Sequence, residues 1–146
     1  MLIPTITTIT LITLLIASYS DLKTREVPDW LNYGLIFMAL GIRLIFSVNS
    51  GWYILLSGVL GFAVCFLIAH LFYYTNQWGG GDAKLLMGMG AMIGITYPFN
   101  VESFNILFFF IALLFLGAIY GLIWMFALAL QKKWFWLDFK NAVNEY

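Results

Sequence analysis

The sequence predicts an all-α, polytopic integral membrane protein, and three observations carry that class. The first is composition. Hydrophobic residues make up 63% of the chain and charged residues only 10%, with a mean hydropathy of +0.94. An average soluble domain is about 45–50% apolar and about 25% charged, and a chain of 146 residues has too little interior to hide that much apolar surface from water. The second is clustering: the apolar residues gather in five stretches, near 2–19, 31–48, 52–74, 83–98 and 104–130. The third is charge placement. If all five stretches span, Lys23, Arg25, Lys84, Lys132, Lys133 and Lys140 share one face of the membrane, and positive charge marks the cytoplasmic side. The N-terminus is then outside and the C-terminus cytoplasmic, as in a multi-pass plasma-membrane protein.

Each stretch has its own justification. A spanning helix needs roughly 20 apolar residues, and the first, second, third and fifth stretches reach that. The first has no positive n-region and no small-x-small cleavage site, so it reads as a helix rather than a removable signal peptide. The second contains Arg43, placed near its outer end, where it would snorkel and pair with Glu102. The fourth is short and glycine-rich (Gly88, Gly90, Gly94). Treating it as a re-entrant dip would move Lys132 and Lys133 outside, so it is expected to span, held among other helices by close backbone approach at Gly90-x-x-x-Gly94. Tyr19, Trp30, Tyr33, Tyr73, Tyr74, Trp78, Trp134 and Trp136 fall at the inner interface, and Trp52, Tyr53 and Tyr97 at the outer one, forming aromatic belts. No repeat or long linker appears. Residues 1–146 are expected to form one domain, with 131–146 an interfacial or frayed cytoplasmic tail.

Composition also excludes functions. The formal net charge is zero, which speaks against nucleic acid as a partner. The lone Cys65 cannot form an internal disulfide or a paired-cysteine metal site. The lone His70 rules out a two-histidine zinc helix and reads as a helix-packing side chain. Cys65 and the methionines Met87, Met89 and Met92 read as packing residues.

Of the seven carboxylates, Asp21 and Asp82 stand apart. Asp21 closes the first apolar stretch and Asp82 opens the fourth, so the topology puts both at one cytoplasmic depth. Ionisable groups at such helix ends are costly unless paired or functional. Gly79-Gly80-Gly81, just before Asp82, lets another segment come close. A helix starting there would turn its free N–H groups toward the Asp82 carboxylate. Two aspartates sharing one proton supply a general acid and a general base for activating water, and the pair owns the macroscopic pKa values. Taken singly, each residue is also an ordinary helix-end charge or cap. A cation- or proton-binding transporter or channel subunit is the alternative use of the same acids, although both lie at one end rather than at the midplane.

Two blocks, Ser18-Tyr19-Ser20-Asp21-Leu22-Lys23-Thr24-Arg25-Glu26-Val27-Pro28-Asp29-Trp30-Leu31-Asn32 and Gly79-Gly80-Gly81-Asp82-Ala83-Lys84-Leu85-Leu86, resemble the type IV prepilin peptidase and preflagellin peptidase family, membrane aspartic proteases of the G-x-G-D kind. The resemblance covers about residues 11–122. It implies cleavage of the N-terminal leader of a pilin-like or archaellin-like precursor at the cytoplasmic membrane boundary, with Asp21 and Asp82 as the catalytic pair. It also implies that Gly79, Gly80 and Gly81 shape the turn, that Lys84, Lys23 and Arg25 are candidates for contacting substrate or lipid, and that no metal or cofactor is needed. Pro28 and Asp29 would shape the entry to the second helix, Asp29 by capping it. Bacterial members often carry paired cysteines in an extra N-terminal region linked to N-methylation. A single cysteine implies no such activity here. Several relatives have six or more spans, against five counted here. The Tyr-Asp and Pro-Ala-Leu signatures of presenilin-like relatives are absent.

Overall fold

A computed structural model describes the backbone of residues 2–144, and the side chains of these except 132–139 and 141–144. Its described elements are α1 (Leu2–Thr24), α2 (Asp29–Ser50), α3 (Tyr53–Tyr74), α4 (Gly80–Ile93), a 3-10 turn (Val101–Phe104) and α5 (Asn105–Asn144). Among the described residues no strand occurs. Four helical stretches, α1, α2, α3 and Val101–Gln131, are long and apolar enough to cross a bilayer. The fourth apolar stretch makes only a 14-residue helix. At 1.5 Å per residue it rises about 21 Å, short of a hydrocarbon core of roughly 30 Å.

The boundaries have local causes. α1 stops because Arg25 turns left-handed (φ 57°), its N–H donating to the Asp21 carbonyl at 2.7 Å. Ser20 Oγ and Thr24 Oγ1 then both donate to the Glu26 carbonyl, at 3.2 and 3.1 Å, which folds the connection back over the helix end. Pro28, extended at φ −61° and ψ 137°, holds Val27 out of helix and stands at the N-cap of α2. Asp29 therefore does not cap α2. It is the first helical residue, and its carboxylate faces α4 instead. α4 ends where Gly94 takes φ +71°, a conformation open to glycine, its N–H bonded to the Gly90 carbonyl at 2.9 Å.

The chain divides into two compact units, one ending at Ile106 and one starting at Leu107. In the first, α4 is the most enclosed element: Ala83, Leu86 and Gly88 through Met92 are all buried. α2 runs beside it in the same direction. Asp29 meets Lys84, Leu35 lies against Gly88 and Arg43 meets the carbonyls of residues 91–93. α3 runs the opposite way. The Ser57 carbonyl accepts from the Ile95 N–H at 2.9 Å, Gly61 and Cys65 lie on Gly90, and Tyr73 lies beside Gly80.

Glycine permits this contact. A Cβ on Gly61 would stand 2.2 Å from the Gly90 carbonyl oxygen and 2.7 Å from Gly94 Cα. A Cβ on Gly90 would stand 2.5 Å from Cys65 Cβ. Backbone cannot retreat from such overlap, so small residues at 61, 90 and 94 are the condition for α3 and α4 to pack. The expected close approach at Gly90 and Gly94 is therefore present, with Gly61 as its partner. Cys65 is buried in the same seam and packs there.

In the second unit, residues 111–131 are exposed all round, as suits a helix whose solvent is lipid. The backbone of α5 continues to Asn144. Most side chains of the expected interfacial tail, Trp134 and Trp136 among them, lie outside the described residues.

Candidate active site

The start of α4 is built from three glycines. Gly79 is the N-cap, extended at φ −71° and ψ 159°, and its carbonyl accepts from the Ala83 N–H at 3.1 Å. Gly80 and Gly81 make the first turn, so Asp82 falls at the third helical position. A Cβ built on Gly79 would lie 3.5 Å from Asp82 Oδ2. The carboxylate thus folds back over the helix start, where unpaired backbone N–H groups and the positive end of the helix dipole favour negative charge.

The connection after Asp21 reaches this same turn. A Cβ on Gly81 would lie 3.5 Å from Val27 Cβ and 3.7 Å from Val27 N, ordinary van der Waals spacing. The segment leaving α1 therefore rests on the glycine turn entering α4, and the ends of the molecule that carry Asp21 and Asp82 adjoin. Both aspartates are exposed, and neither carboxylate has a hydrogen-bond or ion-pair partner among the described residues. Lys23, in the last turn of α1, and Arg25, in the left-handed turn, are exposed at this end too.

Lys84 is engaged within the chain. Its Nζ lies 2.6 Å from Asp29 Oδ1 and 5.4 Å from the Tyr33 ring centroid. The pair ties the first turn of α4 to the first turn of α2, so any contact of Lys84 with substrate or lipid would compete with Asp29. His70 belongs to a ladder along α3: its ring lies 4.0 Å from Phe66 and 5.9 Å from Tyr74, and Nδ1 lies 3.1 Å from the Phe66 carbonyl oxygen. These contacts all lie within α3.

The expectation for Arg43 is overturned. It neither snorkels nor pairs with Glu102. Its side chain is buried and serves the far end of α4. Nε donates to the Ala91 carbonyl at 2.9 Å, and Nη2 to those of Met92 and Ile93 at 2.7 and 3.0 Å. Nη1 donates to Ser57 Oγ at 2.8 Å and to the Ile54 carbonyl at 3.2 Å. The carbonyls of Ala91, Met92 and Ile93 are the orphan acceptors of the α4 C-terminus, where the dipole favours a cation. A carboxylate was the wrong partner to seek, because three converging carbonyls already match a guanidinium fork.

Sequence reasoning gave Asn32 no role beyond its place in the first family-like block. It is completely buried, and neither Oδ1 nor Nδ2 has a hydrogen-bond partner. The available signal was an amide inside an otherwise apolar stretch.

Comparison with known proteins supplies the context for this geometry. The model of the type IV leader peptidase family matches residues 8–122. A preflagellin peptidase from Methanococcus voltae is 38% identical over 94 residues, covering 64% of this chain and 40% of that protein. One from Methanocaldococcus jannaschii is 42% identical over 82 residues, covering 55% and 34%. One from Methanococcus maripaludis is 33% identical over 85 residues, covering 55% and 35%. The matched part of the chain thus spans well under half the length of these relatives. No solved structure gives a significant match.

Proposed function

The chain belongs to the type IV leader peptidase family, and from that premise we propose that it is a membrane aspartic endopeptidase that removes the N-terminal leader of pilin-like or archaellin-like precursors. Asp21 and Asp82 are the catalytic pair. One carboxylate takes a proton from water as it attacks the scissile carbonyl, and the other, protonated, delivers its proton to the carbonyl oxygen or the leaving amine. The observation that carries this reading is the contact of Val27 with Gly81, which sets the segment after one acid on the turn before the other. Gly79, Gly80 and Gly81 leave the N–H groups of α4 open toward the Asp82 carboxylate and leave room for an extended substrate backbone.

In this reading the whole of 1–146 acts as one domain in the plasma membrane, with the N-terminus outside and the C-terminus cytoplasmic. α4 completes a fifth crossing despite its length, because the other helices rather than lipid surround it. The hydrophobic helix of the precursor lies in the bilayer and presents its leader junction at the cytoplasmic boundary. Exposed Lys23 and Arg25 flank that boundary and are free to meet lipid phosphate or precursor.

The test is direct. Purified protein in detergent or lipid is incubated with candidate precursors and the new N-terminus is mapped. Asp21→Asn and Asp82→Asn should each abolish cleavage while the protein still inserts in the membrane. Full activity in either variant, or labelling that exposes residues 21 and 82 on opposite leaflets, rejects the reading.

A further inference from the structure

We propose that Ser20 is a positioning residue for the catalytic pair: its hydroxyl, aided by that of Thr24, clasps the Glu26 carbonyl and so fixes how the end of α1 that carries Asp21 meets the glycine turn that carries Asp82. The consequence for catalysis rests on the peptidase reading; the geometry does not.

Ser20 differs from the other hydroxyl residues of its helix. Thr7, Thr8, Thr10 and Thr13 donate back to the carbonyls of Ile3, Pro4, Ile6 and Ile9, each four residues earlier, at 2.9, 2.8, 2.8 and 2.9 Å. That is the habit of a helical hydroxyl. Ser20 Oγ donates forward instead, across six residues, to the Glu26 carbonyl at 3.2 Å. Thr24 Oγ1 stands 2.9 Å from the Ser20 carbonyl and 3.1 Å from the Glu26 carbonyl, so its single proton is shared between a local acceptor and the forward one.

The forward bonds span a reversal that needs holding. Glycine ordinarily takes the left-handed conformation after a helix. Here an arginine takes it, Arg25 at φ 57°, against the preference of an L side chain. The two hydroxyls close over this bend, together with the Arg25 N–H on the Asp21 carbonyl at 2.7 Å. Thr13, Ala17, Ser20 and Thr24 recur at helical spacing, and the first two are buried. The clasp therefore extends the packed face of α1, and Asp21, one turn beyond Ala17, adjoins it.

The clasp leads to the second acid. Glu26 is followed by Val27, whose Cβ, N and O lie 3.5, 3.7 and 3.8 Å from a Cβ built on Gly81, and Gly81 precedes Asp82. Between the two acids run one hydrogen bond and one packing contact, joined by neighbouring residues. Releasing the hydrogen bond frees residues 25–27 and with them the spacing of the acids. Water competes for the same carbonyl in this exposed connection, so the bond adds little to net stability. Its loss should show in geometry and turnover rather than in melting.

The experiment reads geometry first. In a Cys65→Ala background, Val27→Cys and Gly81→Cys set two thiols on carbons 3.5 Å apart, within the span of a disulfide. The protein in lipid is exposed to a mild oxidant, and the remaining thiols are counted with a maleimide. Ser20→Ala should slow this crosslinking about fivefold or more, because access of one thiol to the other falls. Ser20→Thr, which keeps the hydroxyl, should restore most of it. Without the introduced thiols, Ser20→Ala should melt like the unaltered protein yet cleave precursor with kcat lowered about fivefold or more and KM changed less than about twofold. Ser20→Thr should again recover. Crosslinking at the unaltered rate in Ser20→Ala overturns the inference, and so does an unaltered kcat. A melting temperature that falls in step with kcat makes Ser20 merely structural and also overturns it. An inactive chain whose crosslinking still depends on the Ser20 hydroxyl would reject the peptidase reading alone.

Discussion

The two ends of α4 are built on opposite plans. At the C-terminal end a buried guanidinium gathers four backbone carbonyls and Ser57 Oγ, and glycines at 61, 90 and 94 bring backbone against backbone. At the N-terminal end two unpartnered carboxylates stand exposed, and the one ion pair found among the described residues, Lys84 with Asp29, leaves side chains 31% and 63% exposed. One end is fully satisfied and tightly packed. The other leaves both carboxylates without a partner among the described residues and is tied by one partly exposed ion pair. A short helix anchored at its far end and tied by a partly exposed ion pair at its near end fits the role proposed for Asp82, that of meeting a second acid. Stability and the proposed chemistry are thus separated along a single 14-residue element.

The largest expected effect comes from removing the anchor. Arg43→Leu strips the buried carbonyls of residues 91–93 of their donor, and hydrogen bonds to a charged group contribute about 1.5–3 kcal/mol each. Losses of that kind should lower thermal stability in detergent more than any other single change considered, by about 3 kcal/mol or more. Arg43→Lys restores charge without the fork and should recover only part. If Arg43→Leu melts like the unaltered protein, the far end is not the anchor.

Glycine substitutions sharpen the contrast. Gly61→Ala puts a Cβ 2.2 Å from a carbonyl oxygen of α4, and relieving such overlap costs about 1–3 kcal/mol. Gly81→Ala adds a methyl at ordinary contact distance from Val27 and replaces a helical glycine, which favours the helix by about 0.8–1 kcal/mol. Melting curves should therefore move in opposite directions: down for residue 61, unchanged or up for residue 81. The same Gly81→Ala protein should cleave precursor more slowly, because the turn beside Asp82 has lost room. Equal destabilisation by the two variants would erase the distinction between the ends.

How much of this was legible beforehand divides along the same line. The near end has a sequence signature, because the proposed site lies in side chains whose spacing shows in the sequence: Asp21, Pro28, the run Gly79 to Gly81 and Asp82. α1, α2, α3 and α5 were readable from their apolar runs. The far end was not, because its acceptors are carbonyls, which every residue carries and which leave no trace in composition. Arg43 was assigned to water and Glu102 because charge invites a search for opposite charge, while the partners that won were the last carbonyls of α4 with Ser57 and the Ile54 carbonyl at the start of α3. Asn32 was given no role of its own because burial of an amide depends on which face of α2 meets α4, a tertiary fact. The shortness of α4 had a sign in Gly94, yet where the helix stops depends on the positive φ adopted there.

The smallest expected effect concerns the tie at the near end. Lys84 and Asp29 are joined at 2.6 Å across two helices, but exposed ion pairs gain little from Coulomb attraction in water and are screened by salt. Lys84→Met, Asp29→Asn and the double variant should melt close to the unaltered protein, with smaller changes than Gly61→Ala. A double-mutant cycle should find a small coupling at low salt that fades at high salt. Activity should respond more than stability does, since this tie fixes the turn that carries Asp82 while the far end keeps the helix folded. A coupling as large as the loss on removing Arg43 would mean that both ends of α4 are anchored alike.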